Sequence, residues 1–352
     1  SGSSQVELKE ADKTIKGSRD VEPPSPHQDA LFLHTSGTTS RPKGVPLTHA
    51  NVMASLANIR ATYNLSPVDI SMVVMPLFHV HGLIGAALST LNSGGCLVIP
   101  PRFSASSFWQ VSKKTRSTWY SAVPTIHQIL LNRAESDEAP CGTFRFIRSC
   151  SAALAPSVLQ QLEMRFNSPV LEAYGMTEAS HQMSSNPMPP SDRIAGTVGT
   201  ATGVQIAIMD DNGRLVPQGH TSEVVIKGPN LMLGYRDNRR ANVEAFKNGW
   251  FKTGDQGMLS ARGYLTLTGR LKELINRGGE KISPLEVDAV LLRHSSVAEA
   301  VTFGIPDDKY GEAVCAAVVI KGEASPEDLR RHCADHLASF KVPDRVFISD
   351  SL

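Results

Sequence analysis

Between Ala30 and Ala173 the chain alternates short apolar runs of strand length with amphipathic stretches of helix length, and no other feature narrows the fold as much. Ala30–His34 reads as a strand, and a helix with Val52, Leu56, Ile59 and Tyr63 on one face opens near Thr48. Strand Met72–Met75, helix His81–Leu91, strand Cys96–Ile99 and helix Ser107–Thr115 follow. Then come strand Thr118–Val123, helix Thr125–Arg133, strand Phe144–Cys150, helix Pro156–Phe166 and strand Val170–Ala173. Strands separated by helices of this length argue for a parallel sheet with helices on its faces.

After about Asn186 the helical periodicity stops. Val204–Met209 and Glu223–Lys227 flank a turn at Asn212-Gly213, and Gly257–Leu259 and Tyr264–Thr268 flank another at Arg262-Gly263. These are the marks of a smaller antiparallel section. A second unit begins near Gly269. Ser283-Pro284-Leu285-Glu286 opens a helix over Pro284–Arg293, with the serine as N-cap and proline at the first helical position. Strands Val297–Phe303 and Ala313–Ile320 follow, and Ser325-Pro326-Glu327-Asp328 opens a helix to about His336. The expected class is α/β: a linker over residues 1–29, then a large domain over 30–271 with a helix-flanked parallel sheet and an antiparallel β section, then a small α+β domain over 272–352. Both ends read as cut, so each domain is expected to be incomplete.

At 352 residues the chain has room for two cores, and 41% hydrophobic with 20% charged residues is ordinary for a globular enzyme. A net charge of +1 gives no bulk electrostatic case for nucleic acid or a membrane surface. The most apolar stretch, Ser71–Pro101, is interrupted by Pro76, His79, His81, Asn92 and Ser93-Gly94-Gly95, so no membrane span is expected. The polar N-terminus lacks the apolar segment of a signal peptide. Five cysteines without CxxC pairing suit reduced thiols and a cytoplasmic address, with a peroxisomal one left open because the C-terminus reads as cut.

Thr35–Gly44 packs Thr35, Ser36, Thr38, Thr39 and Ser40 around Gly37, with Arg41, Lys43 and Gly44 after them. A polyphosphate needs many short donors on a loop that approaches closely, and glycine, hydroxyls and backbone N–H groups supply that. A Walker loop is excluded, because Pro42 stands where it needs glycine and Gly44 where it needs Ser or Thr. A phosphate grip and a plain surface loop both remain open on these residues alone.

The loop resembles the signature of the adenylate-forming superfamily: acyl-CoA synthetases, luciferase-like enzymes and peptide-synthetase adenylation domains. It departs at Ser40, where glycine is usual. Three further segments lie in the family's order: Tyr174-Gly175-Met176-Thr177-Glu178, Gly249–Asp255 and Gly269-Arg270-Leu271-Lys272-Glu273. The resemblance implies an ATP-dependent carboxylate–CoA ligase, AMP-forming, with Mg²⁺ as cofactor and ATP and CoA as co-substrates. By it, Thr35, Ser36, Gly37, Thr38, Thr39 and Lys43 hold the phosphates, and Ser151, Ala152, Ala153, Tyr174, Asp255 and Arg270 hold adenine and ribose. Thr177 contacts the α-phosphate, Glu178 holds Mg²⁺, Lys272 is the hinge, and Gly278, Gly279 and Lys281 line the approach of CoA. The family's catalytic lysine is expected beyond Leu352. The chain as given is therefore expected to adenylate poorly, and vigorous ATP–pyrophosphate exchange by it would count against that expectation.

Acyl pockets for fatty or aromatic acids are lined mainly by apolar groups. The matching segments here carry His79, His81, Arg148, Ser151 and His181, donors suited to a second carboxylate. Their wording resembles the oxalate–CoA ligases of plants and fungi, which implies oxalate as the acid. The alternatives are a 4-coumarate-like or medium-chain ligase and a non-catalytic nucleotide-binding remnant. His332, Cys333 and His336 share one predicted helix, but no glutamate follows His332 as HExxH requires, so a polar helix face is the reading there.

Overall fold

The computed structural model describes residues 23–35, 42–134 and 144–352. Strand β1 (Asp29–Thr35) pairs antiparallel with β2 (Lys43–Thr48), Thr35 opposite Lys43. The described ends of the phosphate-loop segment therefore lie on paired strands, whereas the sequence pattern has a helix follow it directly. Pro46 is tolerated in β2 because this two-stranded ribbon leaves an edge where its missing N–H costs nothing. Helix α1 (His49–Tyr63) follows at once, its start set by a capping box in which Thr48 Oγ1 accepts from Asn51 N at 3.2 Å and Asn51 Oδ1 accepts from Thr48 N at 3.1 Å. Val52, Leu56, Ile59 and Tyr63 are all buried, as their spacing predicts.

The central sheet is built from β3 (Ile70–Val73), β4 (Cys96–Val98), β5 (Trp119–Ala122), β6 (Phe146–Ser149), β7 (Val170–Met176), β8 (His181–Ser185) and β9 (Thr200–Ala201). Its order is β4-β3-β5-β6-β7-β8-β9, parallel as far as β7 and antiparallel beyond it. Successive side chains face opposite sides. Trp119 and Phe146 thus join Ile59 and Tyr63 in one core, while Tyr120 and Ile147 join Phe108, Trp109, Leu162 and Phe166 in the other. Each such large side chain, once buried, contributes about 1.5–3 kcal/mol.

The helix expected over His81–Leu91 is not regular. Val80–Gly82 is α-helical, Leu83–Leu88 is a π-helical segment, and Ser89–Asn92 returns to α. Gly82 and Gly85 explain why the segment can sit where it does. A Cβ on Gly82 would lie 2.3 Å from Pro76 O, and one on Gly85 would lie 2.4 Å from His181 Nε2.

Two antiparallel units follow. Strands β10 (Gln205–Met209), β11 (Leu215–Val216), β12 (Thr221–Lys227), β13 (Phe246–Lys247) and β14 (Trp250–Leu259) form a sheet ordered β11-β10-β12-β14-β13, and β15 (Leu265–Arg270) pairs with β14. The Asn212-Gly213 turn joins β10 to β11, and β12 pairs directly with β10. Contrary to the sequence reading, a helix does recur after Asn186, at Arg239–Ala245. It is seven residues long and buries only Ala241, so it leaves no apolar periodicity, but Asn238 Oδ1 caps it by accepting from Ala241 N at 3.0 Å.

Beyond Arg270, β16 (Ile275–Arg277), β17 (Glu280–Ile282), β18 (Val297–Asp307), β19 (Gly311–Ile320) and β20 (Arg345–Ile348) form a separate sheet, β20 running parallel to β19. Helices Pro284–Leu291 and Pro326–Ala334 pack on it through Val287, Leu291, Leu329 and Cys333. Among the described residues no helix is long and apolar enough to cross a membrane.

Candidate active site

The candidate residues gather at the carboxyl ends of β5, β6 and β7, where open α/β sheets place ligands. Strand β7 runs on past Ala173 through Tyr174, Gly175 and Met176, with a register break at Tyr174/Gly175 where β8 crosses close by. A Cβ on Gly175 would lie 2.1 Å from His181 O, so only glycine fits there. Tyr174 Oη donates to Asp255 Oδ2, and Asp255 Oδ1 pairs with Arg270 Nε at 2.8 Å. Asp255 lies opposite Arg270 on β14 and β15, a buried strand position rather than the turn that its type alone favours. Burial pushes the Asp255 carboxyl up, opposed by Arg270. Burial and the Asp255 carboxylate hold the Tyr174 phenol well above its usual range, so it remains a donor.

Glu178 sits in the short 3₁₀ turn Thr177–Ala179 that ends β7, buried, with Thr177 half-buried beside it. Its Oε1 accepts from Tyr235 Oη at 2.8 Å, and its backbone oxygen accepts from Met232 N at 2.8 Å. The Lys43 ammonium lies over the Tyr235 ring, 4.6 Å from its centre, and Arg236 N donates to Gly44 O at 2.9 Å. Tyr235 thus joins the strand after the phosphate loop to the glutamate. Ser36, Gly37, Thr38 and Thr39 lie outside the described residues, as does Ser40. The donor set around Glu178 fits Mg²⁺, which takes one or two carboxylates and fills its remaining positions with phosphate oxygens and water.

The third group is polar and almost wholly buried. Arg148, on β6, donates from Nε to Tyr63 Oη at 2.8 Å and from Nη1 to Ser121 Oγ at 3.0 Å. Its Nη2 lies 2.8 Å from His181 Nε2 and 3.1 Å from Gln182 Oε1. All four partners are neutral, although Arg148 is 0% exposed. His81 bridges Ser121 Oγ (Nε2, 2.7 Å) and Ser151 Oγ (Nδ1, 2.9 Å), and its ring stacks on His181 with centroids 5.3 Å apart. Burial first, then the Arg148 charge, holds both imidazoles well below the usual histidine range, so both are neutral. His181 (φ 89°) and Ser151 (φ 75°) adopt left-handed backbone that non-glycine residues disfavour, in keeping with strain held at functional sites.

Other candidates sit differently. Ser151, Ala152 and Ala153 are exposed, and His79 is exposed at the N-cap of Val80–Gly82. Lys272 is exposed in the turn after β15. Gly278 and Gly279 form the β16–β17 turn at φ 62° and 92°, Gly278 N donates to Tyr310 O at 2.7 Å, and Lys281 is exposed on β17. Contrary to the sequence reading, His332, Cys333 and His336 do not share one polar helix face: the helix ends at Ala334, His336 lies in the turn after it, Cys333 is buried in the second unit's core and His332 Nε2 lies 3.0 Å from Val290 O. Among the described residues no trio of His, Cys, Asp or Glu is placed to hold a metal.

Sequence reasoning did not single out Tyr63, Ser121, Gln182, Tyr235 or Glu172. Tyr63 registers in the pattern only as part of an apolar helix face, and none of the five belongs to a motif. Glu172 lies two residues before Tyr174 on the same face of β7, buried, with Oε2 accepting from Gly196 N at 3.1 Å, and burial pushes its carboxyl up to about 8.

The family model described as AMP-binding enzyme matches residues 2–236, and the AMP-binding enzyme C-terminal domain matches residues 286–352. The chain is 54% identical over 333 residues to the oxalate–CoA ligase of Arabidopsis thaliana, covering 93% of this chain and 65% of that protein. It is 54% identical over 327 residues to the oxalate–CoA ligase of Saccharomyces cerevisiae, covering 92% of this chain and 60% of that protein. ATP-bound MatB from Rhodopseudomonas palustris superposes with a TM-score of 0.87 at 31% identity, covering 94% of this chain and 66% of that one. The chain thus spans somewhat under two thirds of the length of the two curated relatives.

Proposed function

The chain belongs to the AMP-binding enzyme family, and on that footing we propose that it is the larger part of an ATP-dependent carboxylate–CoA ligase whose acid is oxalate. In the first step a carboxylate oxygen attacks the α-phosphorus of ATP, giving acyl-adenylate and pyrophosphate. In the second the CoA thiol attacks the acyl carbon, giving the thioester and AMP.

The observation that carries the substrate assignment is the cluster of Arg148, His81, Ser151 and His181, a buried cation whose four hydrogen-bond partners are all neutral. A buried charge without a counter-ion costs several kcal/mol unless something negative comes near. A short dicarboxylate brings that charge, whereas a fatty or aromatic tail strands these polar groups unpaired. The identity to two oxalate–CoA ligases supports the same reading.

The remaining roles follow the family reading. Tyr174 faces the adenine, and Asp255, with Arg270, takes the ribose hydroxyls. Thr35, Lys43 and Thr177, with residues 36–39, hold the phosphates, while Ser151, Ala152 and Ala153 border the nucleotide. Glu178 would hold Mg²⁺, which supplies charge neutralisation at the phosphates when bound. Residues 272–352 act as a unit hinged at Lys272, and Gly278, Gly279 and Lys281 face incoming CoA.

The test is equilibrium binding of oxalate, malonate, coumarate and octanoate to the protein saturated with α,β-methylene-ATP and Mg²⁺. Oxalate is expected to bind at least about tenfold more tightly than the others. Tighter binding of coumarate or octanoate overturns the assignment.

A further inference from the structure

The Arg148 cluster is directional, because a guanidinium only donates. Arg148 Nη2 lies 2.8 Å from His181 Nε2, so that nitrogen accepts, and the neutral ring carries its single proton on Nδ1. No protein group among the described residues accepts from that Nδ1–H.

The second branch runs through Ser121. Its Oγ accepts from Arg148 Nη1 at 3.0 Å and lies 2.7 Å from His81 Nε2. Arg148 cannot accept the serine proton, so the arrangement that satisfies every group sends it to His81 Nε2. His81 then carries its proton on Nδ1, 2.9 Å from Ser151 Oγ. Ser151 accepts there, and its own hydroxyl proton is left to point outward from an exposed residue. Chains of this kind polarise one another, so the buried cation is felt at Ser151.

We infer that Arg148 is a positioning residue that does not touch the acid: it sets the tautomers of His81 and His181 so that Ser151 Oγ–H and His181 Nδ1–H are the two donors offered to the substrate's distal carboxylate. This rests on the dicarboxylate reading above and refines Arg148's place in it. Four of the guanidinium's five N–H donors are already spent on protein acceptors, which leaves little for direct contact. Gly85 keeps the device compact. The His181 ring lies where a side chain at residue 85 would be, so it is pinned between the π-helical segment and Arg148.

The test uses Ser121→Ala and Ser121→Thr in the protein labelled with ¹⁵N-histidine. Ser121→Ala cuts the branch to His81 but leaves the Arg148–His181 contact in place, and Ser121→Thr restores a hydroxyl. In the wild type, ¹⁵N NMR should report both rings as Nδ1–H tautomers. In Ser121→Ala, His81 alone should lose that single tautomer, oxalate should bind about tenfold or more weakly in the α,β-methylene-ATP complex, and the nucleotide affinity should stay within about twofold. Ser121→Thr should recover oxalate binding. An Nε2–H tautomer at His181 in the wild type, or unchanged oxalate binding by Ser121→Ala, overturns the inference. A wild type with both Nδ1–H tautomers but no preference for oxalate instead defeats the substrate reading and leaves the wiring standing.

Discussion

Replacing Glu172 by glutamine should stabilise the protein, and by more as the pH rises. The carboxyl is buried beside β6, its Oε2 held by the Gly196 N–H, and burial pushes it from an ordinary 4.5 up to about 8. A carboxyl raised in the fold keeps its proton to higher pH than the unfolded chain does. Folding therefore loses stability as pH climbs from 4.5 toward 8, because the unfolded chain gains by ionising and the folded one does not. Glutamine is nearly isosteric with the protonated acid, keeps an acceptor for Gly196 N and does not titrate. The linkage gives a gain for Glu172→Gln of under about 1 kcal/mol at pH 5, about 2 at pH 6 and about 3 at pH 7. Urea unfolding of both proteins at the three pH values measures it, with equal m-values required for the comparison. A gain that is absent at pH 7, or as large at pH 5 as at pH 7, would refute the claim that the fold holds this carboxyl neutral.

Tyr235→Phe removes only the hydroxyl that donates to Glu178 Oε1 and keeps the ring beneath Lys43. It should cost about 1.5–3 kcal/mol, the worth of a hydrogen bond to a charged group, and a urea midpoint indistinguishable from wild type would show that Glu178 is held by other means. Gly85→Ala forces a methyl to within 2.4 Å of His181 Nε2, so it should destabilise by about 1–3 kcal/mol and weaken oxalate binding with it. Unchanged oxalate affinity in a folded Gly85→Ala protein would mean that His181 does not need its observed position.

The sheet and its flanking helices were legible because burial writes periodicity into a chain. Val52, Leu56, Ile59 and Tyr63 had to recur at helical spacing to reach the core, and the central strands had to be apolar on both faces where they enter it, as at Trp119-Tyr120 and Phe146-Ile147. The exceptions share a cause. The Arg239–Ala245 helix buries one residue, so a side-chain cap rather than a stripe defines it. The irregular turns of Leu83–Leu88 do not follow a 3.6-residue pattern, and the ring they pack against at Gly85 belongs to His181, 96 positions further on.

The residues proposed for the nucleotide stand out in the sequence because the family segments they resemble are short and contiguous, as in Tyr174–Glu178. Nothing in the sequence relates Arg148 to His181, 33 positions apart. Only the fold set Tyr63 from α1, Ser121 from β5, Arg148 from β6 and Gln182 from β8 around one guanidinium. Hydrogen bonds between residues this far apart, 119 positions for Tyr63 and Gln182, leave no local spacing in a chain. The sequence by itself determined the sheet order's raw material and the kinds of chemistry available. Which donors face the substrate, and which are spent holding one another, was decided by tertiary contact, because a hydrogen bond depends on distance and direction rather than on place in the chain.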